Sequence, residues 1–232
     1  TRAARFDPAH ARPSNDYDLP LPERAASVPV NVPVGTGTSH VCVVDAEGNV
    51  ASVTTTVNIP FGAGTSVGGF WLNNELDDFT TTPAGAPRGD ATAPAAVGGT
   101  TNLPAPNRRP VSTMTPTIVF DGTEPVLCIG GSGGTRIATA VTQAAWRIVA
   151  LRTPVGEAVA HPRIHQAAQP ATLSIEPGTP ASVVADLRAR GHQTDDLRYG
   201  AMVQAIAIVR DAAGTHLEAA SDARKGGRPA GR

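Results

Sequence analysis

The run Gly37-Thr38-Ser39-His40-Val41-Cys42-Val43-Val44-Asp45 puts a threonine after a glycine, at the mouth of an apolar stretch with strand character. A threonine hydroxyl attacks an acyl group only with a base beside it, and the nearest base is its own nitrogen once the Gly37–Thr38 peptide is cut. A free α-amine has a pKa of about 8, so near neutral pH it can accept the hydroxyl proton. Cleavage would therefore create the catalyst. Taken alone, Thr38 equally reads as the residue that opens a strand.

Two further segments carry chemistry. Gly130-Gly131-Ser132-Gly133-Gly134 precedes a helical pattern, and backbone N–H groups at a helix N-terminus attract anions. A phosphate or an acyl-transfer oxyanion would suit it, as would a plain tight turn. The Walker lysine and the Gly-x-Gly-x-x-Gly spacing are both missing, which favours the oxyanion over phosphate. Asn73-Asn74-Glu75-Leu76-Asp77-Asp78-Phe79 offers amides and carboxylates that can orient and pair with a substrate ammonium group, or simply form a polar turn. Its acids lack the spacing of a calcium loop. His161 and His165 stand four apart, but Pro162 opposes a helical metal face, so no metal is expected. A Gly-x-Ser-x-Gly elbow in strand-to-helix context is not assigned.

These residues need a scaffold, and 232 residues suffice for one large domain or two small ones. A net charge of -1 and 4% aromatic content leave no footprint for nucleic acid. No apolar run approaches the roughly 20 residues of a membrane span, and Thr1–Asp7 lacks a signal-peptide core. The visible chain is expected to be soluble. It begins with threonine, so an upstream leader can lie outside it, and cytoplasmic and exported locations both stay open. Cys42 and Cys128 sit in apolar runs and read as small buried hydrophobes rather than a disulfide framework.

Residues 1–37 contain six prolines and read as a linker or tail. Val41–Asp45 and Val50–Thr56 predict a hairpin, Thr117–Phe120 and Pro125–Ile129 a second, and Met202–Arg210 with His216–Ala220 a third. Residues 80–110 read as a long surface loop. Ile137, Val141, Ala144, Ala145, Ile148 and Leu151 predict a helix over 135–151. A second helix is expected at Thr179-Pro180, with Thr179 as N-cap, Val183, Val184 and Leu187 on one face, and Gly191 as stop. Segregated strand pairs and helices predict an α+β fold with layered helices on a mainly antiparallel sheet.

Taken in order, several segments resemble the γ-glutamyltranspeptidases, whose precursor cleaves itself to expose an N-terminal threonine. They are Thr38-Ser39-His40 with Val43-Val44-Asp45 and Gly48-Asn49, Ser52–Asn58 with Phe61-Gly62, and Leu72–Phe79. Asn107-Arg108-Arg109-Pro110, Ser112–Thr117, Gly133–Ile137, Pro162-Arg163 and Ala220-Ser221-Asp222 complete the set. The resemblance covers 38–225 as the catalytic small-subunit region, with 1–37 resembling the end of the large subunit. It implies the four-layer αββα sandwich of N-terminal-nucleophile hydrolases, half of it supplied by this chain, and a missing large subunit as partner.

Position by position, the resemblance implies that cleavage between Gly37 and Thr38 makes Thr38 the nucleophile and its amine the base. Thr56 would hydrogen-bond the nucleophile, and Gly133 and Gly134 would hold the oxyanion. Asn58, Glu75 and Asp78 would hold the α-amino end of a γ-glutamyl group, and Ser112 and Thr113 its α-carboxylate. The activity implied is a cofactor-free γ-glutamyl amide hydrolase or transpeptidase acting on glutathione-like compounds. Three departures stand out. Thr113 replaces a common serine, Glu75 replaces a common glutamine, and Thr80–Asn107 has no aromatic residue to serve as a lid, which favours hydrolysis over transpeptidation. The substrate-clamping arginine of the large subunit lies outside this sequence. The alternatives are an amide acylase with a different acyl group, which the acidic Glu75 and Asp78 disfavour, and an uncut, non-catalytic amino-acid-binding fragment.

Overall fold

The computed structural model describes residues 5–12, 37–79, 102–167, 172–197 and 200–231. The predicted linker and most of the long loop therefore lie largely outside the described residues. The elements run β1 (Thr38–Val44), β2 (Val50–Thr56), β3 (Ser66–Val67), β4 (Phe70–Trp71), β5 (Thr117–Asp121), β6 (Glu124–Ser132), α1 (Ile137–Val149) and α2 (Val155–Ala160). They continue with β7 (Ile164–His165), β8 (Thr172–Ile175), α3 (Ala181–Ala189), β9 (Gln193–Asp196), β10 (Met202–Asp211) and β11 (Gly214–Ser221). Two compact units result, one of Val34–Asn74, Thr113–His161 and Gly200–Arg232, the other of Thr1–Pro33, Glu75–Ser112 and Pro162–Tyr199.

The unit containing Thr38 is built on a four-stranded sheet in the order β11-β10-β6-β5, antiparallel throughout. Side chains alternate across a strand, so β6 serves both faces. Leu127 and Ile129 join Val203, Ala205 and Ala207 of β10 in a core sealed by Ile137, Val141, Ala144 and Ile148 of α1 and Val155, Ala158 and Val159 of α2. Burying one such aliphatic side chain contributes about 1.5–3 kcal/mol. Cys128, Gly130 and Ser132 face the opposite side, where the β1–β2 ribbon lies.

The ribbon pairs Thr38 with Thr56 and Val44 with Val50, closed by Asp45, whose carboxylate accepts the Asn49 backbone N–H at 2.7 Å. The Asn49 side-chain amide, at 2.8 Å, and then that backbone bond hold the Asp45 carboxyl below its usual range. Thr38, His40 and Cys42 point inward, while Val41 and Val43 are more than half exposed. The apolar residues that marked the strand in the sequence thus lie on its outer face.

All three predicted hairpins form. The glycine run is only partly a helix approach, because β6 continues to Ser132 and α1 starts at Ile137 after a 3-10 turn, leaving Leu151 outside the helix and half exposed. The cysteine reading is corrected: Cys42 and Cys128 form a disulfide. Two small inward side chains on facing layers meet across 86 residues of sequence, a juxtaposition that only the fold creates.

In the second unit β7 and β8 are antiparallel, and α3 crosses over to bring β9 parallel to β8. Among the described residues only β8–β9 departs from the antiparallel pattern, so the α+β class stands. Thr179 does not cap α3. Its hydroxyl donates to Glu176 O at 2.9 Å, one residue too early, and Pro180 occupies the cap without a side-chain bond. Val184 and Leu187 are half-buried while Val183 is exposed, and Gly191 at φ 93° follows the helix end. The 5–12 segment is tied to the same helix end through Ala11 N–H, which donates to Arg190 O at 2.7 Å.

Candidate active site around Thr38

Pairing of β1 with β2 brings Thr38 opposite Thr56, and both inward hydroxyls meet at 2.8 Å. Thr56 Oγ1 also lies 3.1 Å from Gly37 O and accepts the Asn58 backbone N–H at 2.8 Å. A hydroxyl has one proton and two lone pairs, which assigns every bond here. Thr56 donates to Gly37 O and accepts from Asn58 N–H and from the Thr38 hydroxyl. The lone pairs of Thr38 Oγ1 are then free to act as a nucleophile.

The Gly37 carbonyl accepts a second bond, from Val57 N–H at 3.0 Å. Two donors therefore converge on the carbonyl of the peptide that the sequence marks for cleavage. A β-carbon at Gly37 would collide with Asn58 O, so glycine lets the chain pass here. Asn58, at φ 73°, takes the left-handed conformation that turns the chain at the ribbon's end.

Further along β1, His40 is buried, with Nδ1 at 2.8 Å from Thr54 Oγ1 and Nε2 at 3.3 Å from Cys42 Sγ. A disulfide sulfur only accepts, which assigns the proton to Nε2 and leaves Nδ1 to accept from Thr54. Burial lowers the imidazole from 6.5 to about 4, so it is neutral near pH 7. Lys225, from the segment after β11, donates from Nζ to Thr38 O and to Ser132 Oγ at 3.3 Å.

Gly133 and Gly134 form the turn after β6 with φ of 143° and 58°. A β-carbon at Gly133 would lie 2.6 Å from Ala201 Cα, so only glycine fits. Thr113 Oγ1 donates to Gly134 O at 3.0 Å, tying one predicted carboxylate ligand to the predicted oxyanion turn. The elbow reading needs correction, because Gly130-Gly131-Ser132-Gly133-Gly134 does have elbow spacing between a strand and a helix. Ser132, however, is fully buried with its hydroxyl facing Lys225, unlike an exposed serine nucleophile.

Glu75 and Asp78 open and close a single 3-10 turn in the other unit, both half-buried. Buried Asn102 clamps that turn, donating from Nδ2 to Asp78 O at 2.7 Å and accepting Val111 N–H at 2.9 Å just before exposed Ser112. The structure thus gathers Gly37, Thr38, Thr56 and Asn58, links Thr113 to Gly134, and holds Glu75, Asp78 and Ser112 within a separate unit. Sequence reasoning missed Val57 N–H, Asn102 and Lys225. A backbone donor leaves no sequence signal, and single polar residues in loops carry no periodicity.

Comparison with known proteins bears on this geometry. Glutathione hydrolase 3 of Arabidopsis thaliana is 41% identical over 181 residues, covering 73% of this chain and 28% of its own length. The Escherichia coli glutathione hydrolase proenzyme is 36% identical over 189 residues, covering 81% of this chain and 31% of its own. The chain thus spans about three-tenths of the length of these two relatives. A crystallised point mutant of Helicobacter pylori γ-glutamyltranspeptidase superposes with a TM-score of 0.73 at 36% identity, covering 80% of this chain and 99% of that one. The family model described as gamma-glutamyltranspeptidase matches residues 1–232, and the chain belongs to that family.

Proposed function

We propose that this chain is the catalytic part of a γ-glutamyl amide hydrolase that acts on glutathione-like compounds after cleavage between Gly37 and Thr38. The observation that carries the reading is the pair of donors on Gly37 O, Thr56 Oγ1 at 3.1 Å and Val57 N–H at 3.0 Å, with Thr38 Oγ1 hydrogen-bonded to Thr56. Attack of Thr38 Oγ1 on the Gly37 carbonyl carbon puts negative charge on an oxygen already held by two donors. The C–N bond then breaks, Gly37 becomes an ester on Thr38, and the freed nitrogen takes the proton that the attacking hydroxyl gives up. Water hydrolyses the ester and leaves Thr38 as a new N-terminus.

The mature cycle repeats this chemistry on substrate. Thr38 Oγ1 attacks the γ-carbonyl while the Thr38 amine takes its proton and passes it to the leaving amine. The Gly133 and Gly134 amides receive the oxyanion, and water releases glutamate from the ester. Asn58, Glu75 and Asp78 bind the substrate ammonium, and Ser112 and Thr113 its α-carboxylate. The paired carboxylates support a cationic substrate end and disfavour a plain diacid.

The exposed Val41, Val43 and Val53 support a further layer over the ribbon, supplied by the large subunit to complete an αββα sandwich. The lack of aromatics in Thr80–Asn107 supports hydrolysis over transpeptidation. Both readings are tested on the full-length protein with a γ-glutamyl anilide. Wild type releases glutamate and Thr38→Ala neither matures nor turns over; dominant dipeptide formation at saturating acceptor overturns the preference for hydrolysis, and a cut, active Thr38→Ala overturns the function.

A further inference from the structure

The segment after β11 reaches Thr38 through a fixed path. Asp222 is fully buried, accepts Val203 N–H at 3.1 Å through Oδ2 and the Arg224 guanidinium at 2.9 Å through Oδ1. Its own N–H donates to Val203 O at 3.1 Å, and Lys225 N–H closes a turn on Asp222 O at 3.0 Å. This anchoring on β10 delivers Lys225 to the start of β1. A lysine ammonium has three donors and no acceptor, and Nζ finds three acceptors: Thr38 O, Ser132 Oγ at 3.3 Å and Ser39 Oγ at 3.5 Å.

We propose that Lys225 is a positioning residue that grips the Thr38 carbonyl through cleavage and, by its charge, keeps the newly exposed Thr38 amine unprotonated and ready to accept the hydroxyl proton. The proposal rests on the Thr38 nucleophile reading above. An ammonium bound to a residue's carbonyl stands close to that residue's nitrogen, and a like charge disfavours a second ammonium there. The amine's ordinary value of about 8 would otherwise leave most of it protonated at pH 7.

Among the described residues, β1 and β2 carry no carboxylate to oppose this charge. His40, the ionisable group of β1, is neutral near pH 7. No ionisable side chain lies on β2, and β6 has only Glu124 at its far end, paired with Arg210 of β10 beside Asp211. Asp222 pairs with Arg224 at 2.9 Å. Partial burial lowers the Lys225 ammonium from its usual value, and its three acceptors favour the charged form.

The test uses full-length wild type, Lys225→Met and Lys225→Arg, following maturation by intact mass and kcat/KM for a γ-glutamyl anilide against pH. Lys225→Arg is expected to mature and to keep the acid limb of the profile. Lys225→Met, where it matures, shifts that limb upward by about one pH unit and lowers kcat at pH 7 with little change in KM; where it does not mature, Lys225→Arg rescues cleavage. A mature Lys225→Met with an unmoved acid limb, or a Lys225→Arg that fails as Lys225→Met does, overturns the proposal. Wild type that neither matures nor turns over overturns the nucleophile reading instead.

Discussion

Thr56 Oγ1 lies 2.8 Å from Thr38 Oγ1 and 3.1 Å from Gly37 O, so one hydroxyl touches both sides of a single peptide bond. Thr56→Val keeps the shape, removes the donor and leaves Asn58 N–H without its acceptor. Loss of one donor to a developing oxyanion costs about 10²–10³-fold, so maturation should slow by that order and Thr56→Ser should restore most of it. Time-resolved intact mass checks this; equal rates for Thr56→Val and wild type contradict the assignment.

Gly133→Ala forces a β-carbon against Ala201 Cα in a backbone at φ 143°. Strain of this kind costs on the order of 1–3 kcal/mol, and the proposed oxyanion turn moves with it. Chemical denaturation and kcat should both fall. Gly156→Ala, inside α2 with nothing within 4 Å of its β-carbon, is the control and should be neutral or stabilising by up to about 1 kcal/mol.

The Cys42–Cys128 bond joins the β1–β2 ribbon to β6 and closes a separation of 86 residues. Such a cross-link typically contributes about 2–4 kcal/mol. Paired Cys42→Ala and Cys128→Ala substitutions should lower the urea midpoint, and added reductant should lower wild type but not the double variant. Insensitivity of wild type to reductant under unfolding conditions contradicts the cross-link.

His40 gives a stability trend with a defined sign. Its folded value, about 4, lies below the ordinary 6.5, so between these pH values the unfolded chain binds a proton that the folded one refuses. Stability therefore falls as pH drops through that window, by at most about 3 kcal/mol. His40→Gln should flatten the decline in urea midpoint between pH 7 and pH 4; an equal slope in both proteins contradicts the burial argument.

The parts legible in the sequence are those with local signals. Alternating β-branched runs around Asp45–Asn49 and Asp121-Gly122 mark hairpins, and the 3.6-residue spacing from Ile137 to Ile148 marks α1. β9 has the composition Gln-Thr-Asp-Asp and no apolar period, and it is a strand only because α3 returns it parallel to β8. β3, β4 and β7 are two residues each, too short for any period. At the candidate site, Thr38 opposite Thr56 follows from hairpin register. The disulfide and Lys225 depend on contacts across 86 and 187 residues, which local pattern does not encode.

The central claim is that Thr38 becomes an N-terminus by its own chemistry. Intact mass and N-terminal sequencing of the purified full-length protein, incubated at neutral pH alongside Thr38→Ala, test it most directly. The predicted result is a new wild-type species that begins at Thr38 as γ-glutamyl anilide hydrolysis appears, with Thr38→Ala intact and inactive. A wild-type chain that hydrolyses the anilide while Gly37–Thr38 stays uncut, or one that stays uncut and inactive, would contradict it.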